Sequence, residues 1–296
     1  MTIHLSVSQY REFERFFQYG NLKDAQYVFV GFEEGLGQET IEAVIQSRYD
    51  FEKDVSEAVY YLPEQLQPNQ GDEGKLAYCI TDMDAASRYT TRNSFTDYPH
   101  YRTKLPIDLT MSMQATLKLL LDNPSLLGQR ISQQERRDCF FDTLHKPDSN
   151  TCMIDRYPLP KQGKFPYSVH GLFRNFQEYI AYNNRFDNYR LQILKGMYDA
   201  FPMQNTIVYA GIERGAFKLQ KLYESIGFRF ETKYTSDVHP GYKGSVAPVA
   251  DKVKPFLLGT RGATGQKAIL TPFFGMGQLG YHDLDVIATW ILPAGK

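Results

Sequence analysis

The chain has 296 residues, 42% of them apolar, and a formal net charge of −1. That length and apolar content suffice for a sizeable core in one large domain. The near-zero charge excludes a global basic field of the kind that advertises nucleic acid, leaving room only for a local basic face, and no run of about 18 apolar residues suggests a membrane span.

Taken in chain order, the first predicted element is a helix over 6-SVSQYREFERFFQYG-20, with Ser6 and Gln9 at capping-box spacing, apolar Tyr10, Phe13, Phe16 and Phe17 on one face, and Gly20 as its C-terminal cap. No signal-peptide core is visible there. A buried strand, 27-YVFVG-31, follows. Residues 64–75 read as a polar surface loop, and residues 84–108 mix Tyr, Arg, Asn and Pro without a period. A helix over 112–121 stops at 123-NP-124. The second strand is 151-TCMID-155, followed by helices over 172–181 and 189–201. The third strand, 206-TIVYAG-211, leads to a helix over 214–226 that stops at Gly227. Residues 234–250 are punctuated by Gly and Pro. The fourth strand, 266-QKAILTPFFG-275, precedes a last helix near 283–292. Short apolar runs alternating with helices predict an α/β fold, a three-layer α/β/α sandwich around a central four-stranded parallel sheet. No linker divides the chain, so one domain over 1–296 is expected, with insertions near 60–110 and 230–260.

Cys79, Cys139 and Cys152 are odd in number and lack C-x-x-C spacing. This argues against a disulfide framework, a four-cysteine zinc site or a four-cysteine iron–sulfur cluster. Buried free thiols in a reducing cytoplasm are the expectation. No cofactor or metal is predicted, and the chain is expected to be a monomer without a membrane partner.

In open α/β sheets ligands bind beyond the carboxyl ends of the strands. The first strand presents Gly31, Phe32, Glu33, Glu34 and Gly35 there, and the second Asp155, Tyr157, Pro158 and Lys161. The fourth presents Thr271, Pro272, Phe273, Phe274 and Met276. Glu33 and Asp155 then sit on adjacent loops as two carboxylates that can orient water or accept hydrogen bonds from an amino group. Lys161, Lys164, Lys243 and Arg261 flank them as candidate phosphate contacts. Structural readings stand beside these: Glu33 and Glu34 also suit a helix N-terminus, Asp155 also suits a turn, and 158-PLP-160 also suits a rigid loop. A phosphate-cradling loop is disfavoured, because 28-VFVGFEEGLG-37 matches neither G-x-x-x-x-G-K-[ST] nor G-x-G-x-x-G and carries two carboxylates.

Together these strand ends resemble the uracil-DNA glycosylase superfamily. The family's first motif reads like G-Q-D-P-Y or G-E-A-P-G, and here it is 31-GFEEG-35, which puts Glu33 at the water-activating position and Glu34 where proline is usual. The second motif, similar to H-N-x-C-P-L, aligns with 154-IDRYPL-159 and places Asp155 at the base-reading Asn. An ionised Asp only accepts hydrogen bonds, which suits the amino group of a cytosine-type base rather than uracil. The last motif, similar to H-P-S-P, aligns with 271-TPFFGMG-277; Thr271 replaces its His, and His239 and His282 are the histidines nearest the candidate loops.

The resemblance implies a DNA glycosylase that flips out a base and hydrolyses its N-glycosidic bond without a lyase step, leaving an abasic site. Glu33 and Asp155 would be catalytic, while Gly31, Phe32, Glu34, Gly35, Tyr157 and Pro158 would form the pocket. Lys161, Lys164, Thr271, Pro272, Phe273, Phe274 and Met276 would contact DNA, with Phe273, Phe274 and Met276 as an apolar wedge. The implied substrate is a modified cytosine, such as glucosylated 5-hydroxymethylcytosine in phage DNA, in antiviral defence. The alternatives are a uracil or mismatch repair glycosylase, a nucleoside hydrolase or transferase, and a non-catalytic binder on the same fold.

Overall fold

The computed structural model describes residues 16–20, 24–35, 59–61, 78–80, 107, 109–146, 148–161, 176–201, 205–209, 216–237, 253–274 and 278–293. The polar 64–75 loop, most of 84–108 and the 238–250 stretch lie outside the described residues. The elements in chain order are β1 (Phe16–Tyr19), β2 (Tyr27–Gly35), β3 (Val59–Tyr61), β4 (Tyr78–Ile80), α1 (Leu109–Asp122) and α2 (Gln133–Asp142). They continue with β5 (Thr151–Lys161), α3 (Phe176–Ala200), β6 (Asn205–Tyr209), α4 (Ala216–Ser225), β7 (Phe228–Tyr234), β8 (Pro255–Arg261), β9 (Gln266–Thr271) and α5 (Tyr281–Ile291).

The fold is mixed α/β. Its strands form one nine-stranded sheet in the order β3-β4-β1-β5-β2-β6-β9-β8-β7. This corrects the expected four-stranded parallel sheet. β2 has parallel neighbours on both sides, β5 and β6, and β6 is parallel to β9. Beyond them come antiparallel pairs, β8 with β9 and β7 on one side and β1 with β5 on the other, after which β4 is parallel to β1 and antiparallel to β3. Residues 228–234 and 255–261, within and beside the expected 230–260 insertion, are sheet strands. Phe230 lies opposite Gly259 in that hairpin, and a Cβ at Gly259 would fall 2.5 Å from the Phe230 ring. The glycine is there because the aromatic ring lies across its backbone.

The alternation of strand side chains sends consecutive residues into two separate cores. Phe29, Met153, Ile207 and Ile269 pack with Met113, Leu117, Leu120 and Leu121 of α1 and with Leu284, Ile287, Ala288 and Ile291 of α5. Val28, Val30, Cys152, Ile154, Ala268 and Leu270 pack on the other side with Ile193, Leu194, Met197 and Tyr198 of α3 and with Leu219 and Tyr223 of α4. The i, i+4, i+7, i+8 spacing of the α1 residues is what aims them at one core. Each such side chain removed from water contributes on the order of 1.5–3 kcal/mol, so the middle of the sheet is the mechanical anchor of the molecule.

Three other expectations are revised. Residues 16–19 are strand, not the end of a helix; residues 6–15 lie outside the described residues. The 16-FFQY-19 segment fills the space between β4 and β5, and Tyr19 is buried in the α1-side core. Gly20 is accordingly not a helix cap. Its φ is +90°, and a Cβ there would lie 2.8 Å from the Thr151 carbonyl oxygen, so the close approach of β1 to β5 demands glycine. Finally, the two helices expected over 172–181 and 189–201 are a single helix, α3. The intervening 182-YNNRFDN-188 is rich in turn-favouring residues, but it holds neither Pro nor Gly to end the helix.

Candidate functional site

The carboxyl edge of the parallel strands is where the predicted residues meet. Register aligns Gly31 with Asp155, Val30 with Val208, Val208 with Leu270, and Tyr209 with Thr271. One row therefore crosses four strands at the level of Asp155, Gly31, Tyr209 and Thr271. Asp155 and Thr271 share the parity of Met153 and Ile269, so they belong to the α1/α5 side of the sheet. Asp155 is 7% exposed, an uncommon degree of burial for a carboxylate.

The 31–35 stretch is not the expected loop. β2 continues to Gly35, pairing Glu33 with Tyr157 and Gly35 with Lys161. The ladder satisfies backbone groups that a loop would have to satisfy otherwise. Between those two pairs β2 advances two residues and β5 four. The extra length falls on 158-PLP-160, where Pro158 and Pro160 lack the N–H that a regular ladder requires. The Pro-Leu-Pro segment is therefore a bulge in a strand. The structure brings Gly31, Phe32, Glu33, Glu34 and Gly35 alongside Asp155, Tyr157, Pro158 and Lys161 on two adjacent strands.

Arg156, between Asp155 and Tyr157, was not among the predicted site residues. It is 8% exposed, its guanidinium lies 4.9 Å from the centre of the Tyr157 ring, and it shares the parity of Ile154 on the α3/α4 side. Burial pushes the phenol of Tyr223 well up, and the charge of Arg156 opposes that shift. A cation at the end of a strand that carries a predicted carboxylate was the available signal.

The loop after β9 departs from its predicted role. Thr271 and Phe274 are fully buried, and Pro272 is buried too. Phe274 belongs to the core with α1 and α5, and its carbonyl accepts from the Thr110 hydroxyl at 3.0 Å. A side chain enclosed in this way is not available to wedge into a duplex, so Phe274 is a core residue, and Thr271 is equally enclosed. Phe273 is partly buried against the same core, and its N–H donates to Gln278 Oε1 at 2.9 Å. Met276, Lys164, Lys243 and His239 lie outside the described residues. Arg261 is no phosphate contact. Its Nε donates to the Ile226 carbonyl at 2.9 Å, its Nη1 to Gln266 Oε1 at 3.2 Å, and it pairs with Asp199, tying α3, α4, β8 and β9 together.

Beneath the Asp155 row runs a buried polar chain that the sequence reading missed. His145 Nε2 donates to Gln114 Oε1 at 2.8 Å, and Gln114 Nε2 in turn contacts Met153 Sδ at 3.6 Å. The His145 ring packs edge-on against Phe29. Burial pulls the His145 pKa down to about 3, so the ring is neutral. The same desolvation raises the Cys139 thiol to about 11 and the Cys152 thiol higher still. Both are free and buried.

A second polar feature lies on the helix side. A cleft of about 590 Å³ separates the α1–α2 connection from the first turn of α5, with Arg130, Ser132, Arg136, His282 and Asp285 among its walls. Asp285 Oδ1 accepts from the Gly128 N–H at 3.2 Å, and burial raises its carboxyl to about 6.

Among the described residues no helix is long and apolar enough to cross a membrane, and no group of three or more His, Cys, Asp or Glu side chains is placed to hold a metal ion. Comparison with family models, curated proteins and solved structures finds no match to this chain.

Proposed function

We propose that the chain is a monofunctional DNA glycosylase with a uracil-DNA-glycosylase-like fold, acting on a modified cytosine such as glucosylated 5-hydroxymethylcytosine in phage DNA. The observation that carries this reading is the register of β2 against β5. It sets Gly31 opposite Asp155 and Glu33 opposite Tyr157 at the carboxyl edge of a run of parallel strands flanked by helices. Glu33 and Asp155, the residues this chemistry requires, thus lie on neighbouring strands, two residues apart in register.

In this reading Glu33 orients the attacking water and stabilises the cationic sugar that develops as the glycosidic bond breaks. Asp155 accepts from the exocyclic amino group of the extruded base. Its burial at 7% exposure supports a role in a water-poor pocket, where a directed hydrogen bond discriminates most strongly. The bulge over Pro158–Pro160 gives the pocket wall a fixed shape with fewer backbone donors. Gly31 brings backbone rather than side chain to the row beside Asp155.

The test is an excision panel of duplexes carrying uracil, a thymine mismatch, 5-hydroxymethylcytosine or its glucosylated form, scored for abasic sites. Abasic product is expected from the modified cytosines. Glu33→Gln is expected to lower the single-turnover rate about 100-fold or more. A Glu33→Gln protein that excises at the wild-type rate removes Glu33 from the chemistry, and activity confined to uracil sinks the role given to Asp155.

A further inference from the structure

The cleft between the α1–α2 connection and α5 is more than a gap between helices. Six buried side-chain polar atoms among the described residues have no hydrogen-bond partner, and two of them, Arg136 Nε and His282 Nε2, belong to side chains that line it. Buried polar atoms are almost always paired, so a cluster of exceptions asks for an explanation. His282 Nε2 and Asp283 Oδ1 approach to 3.1 Å without hydrogen-bond alignment, while the other Asp283 oxygen is already engaged by the Gly280 N–H at 2.7 Å.

The cationic wall is held in place in advance. The Arg136 guanidinium stacks on Tyr281, 4.5 Å from the ring centre, and its Nη1 donates to the Ile131 carbonyl at 2.6 Å. Tyr281 is itself fixed through its hydroxyl, 3.1 Å from Ser112 Oγ. A guanidinium immobilised by stacking and one hydrogen bond loses little further entropy when it binds an anion. Arg130 is exposed on the same wall. Opposing them is Asp285, whose carboxylate repels an anion while it remains ionised. The location matters as well. Ser112, in the first turn of α1, bonds to Tyr281 of the cleft wall, and Thr110 in the same turn bonds to Phe274 in the loop that leaves the carboxyl end of β9.

We propose that this cleft is a phosphate-binding site in which Arg136 and Arg130 supply the donors and Asp285 limits the affinity. Resting on the glycosylase reading above, the phosphate it takes is a backbone phosphate of the DNA whose base enters the strand-end pocket. Two guanidiniums give the donor set that phosphate oxygens accept. The Asp285 carboxylate accounts for a site that binds an isolated phosphate weakly and a polyanionic strand usefully.

Inorganic phosphate is the probe for the cleft, titrated calorimetrically against the full chain. Millimolar binding is expected, weakened at least fivefold in Arg136→Gln and in Arg130→Gln, and tightened severalfold in Asp285→Asn. The opposite signs separate a real site from general loss of structure, and Arg130, being exposed, guards against a folding artefact. Absence of phosphate binding, or binding that none of the three changes alters, overturns the proposal. A second arm measures DNA affinity against salt. Each Arg→Gln change is expected to reduce the slope of log K against log[salt] by about one, uniformly across sequences. Phosphate binding with an unchanged DNA slope overturns the assignment to the DNA backbone. A chain that binds phosphate in this pattern but neither binds nor cleaves any DNA instead refutes the glycosylase reading and leaves the cleft assignment standing.

Discussion

Replacing Asp285 by Asn should stabilise the protein, and only above a defined pH. In the folded chain the Asp285 carboxyl is raised from 3.8 to about 6, chiefly by burial, with the Gly128 N–H and His282 opposing the shift. A carboxyl with a raised folded pKa binds a proton more readily in the native state than in the unfolded one. Its ionisation therefore costs stability as pH rises from about 4 through 6, and the cost is fully present above that window. One pKa unit is about 1.4 kcal/mol, so the whole displacement corresponds to about 3 kcal/mol. Asp285 is itself only 7% exposed, but it lines an open cleft, and solvent screening there brings the expectation to about 1–2 kcal/mol. Asn keeps an oxygen to accept from the Gly128 N–H and removes the charge. Urea unfolding of wild type and Asp285→Asn at pH 4 and pH 8 checks this. The variant should be the more stable protein at pH 8 and indistinguishable at pH 4. A variant less stable at pH 8, or a difference that does not change with pH, refutes the reasoning.

His145 should act with the opposite sign. Its folded pKa of about 3 lies below the ordinary imidazole value of 6.5, so the unfolded chain takes up the proton first and stability falls as pH drops below about 6.5. At pH 4.5 that loss is about 2–3 kcal/mol, and a His145→Gln variant should show a flatter acid limb in denaturation experiments even if it is less stable at pH 7. Phe274→Ala should cost about 3–5 kcal/mol of stability, as a fully buried aromatic does. A variant with unchanged thermal stability would restore Phe274 as a surface wedge.

What could be read from the sequence was what local pattern alone determines. The helices α1, α4 and α5 were placed to within a few residues, because Leu117, Leu120 and Leu121, or Leu219, Leu222 and Tyr223, repeat at the helical period and end at Asn123-Pro124 or Gly227. The apolar runs of β2, β5, β6 and β9 were equally clear. The N-terminal error has a physical cause. Phe13, Phe16 and Phe17 have helical spacing, yet 16-FFQY-19 takes its conformation from the partner strands β4 and β5, which no local signal reveals. The α2 helix had a signal that was passed over: Ser132 and Glu135 form a complete capping box, with the Ser132 N–H to Glu135 Oε2 at 2.6 Å and the Glu135 N–H to Ser132 Oγ at 3.1 Å. The Phe273-Phe274 pair shows the limit of composition. Apolar residues in a loop read alike whether they face solvent or core, and only the position of α1 and α5 decides.

The strand ends illustrate how a site can be assembled from a conflict between local rules. Glycine at 31 and 35 and proline at 158 and 160 all weaken a ladder, and on sequence grounds they mark loops. The two strands nevertheless stay paired to Gly35 and Lys161, with the irregularity confined to the bulge. They are carried there by the packed ladder behind them, from Tyr27 opposite Thr151 to Val30 opposite Ile154, whose side chains fill both cores. The rigid middle of the sheet thus extends past its own cores and holds Asp155, and the backbone of Glu33, at fixed separation. Chemistry at a carboxyl edge needs that precision, because a displacement of about 1 Å between reacting groups costs on the order of 100-fold in rate. In the glycosylase reading proposed above, the weakening residues would shape the pocket, and the core residues Phe29, Met153 and Val30 would make that shape hold.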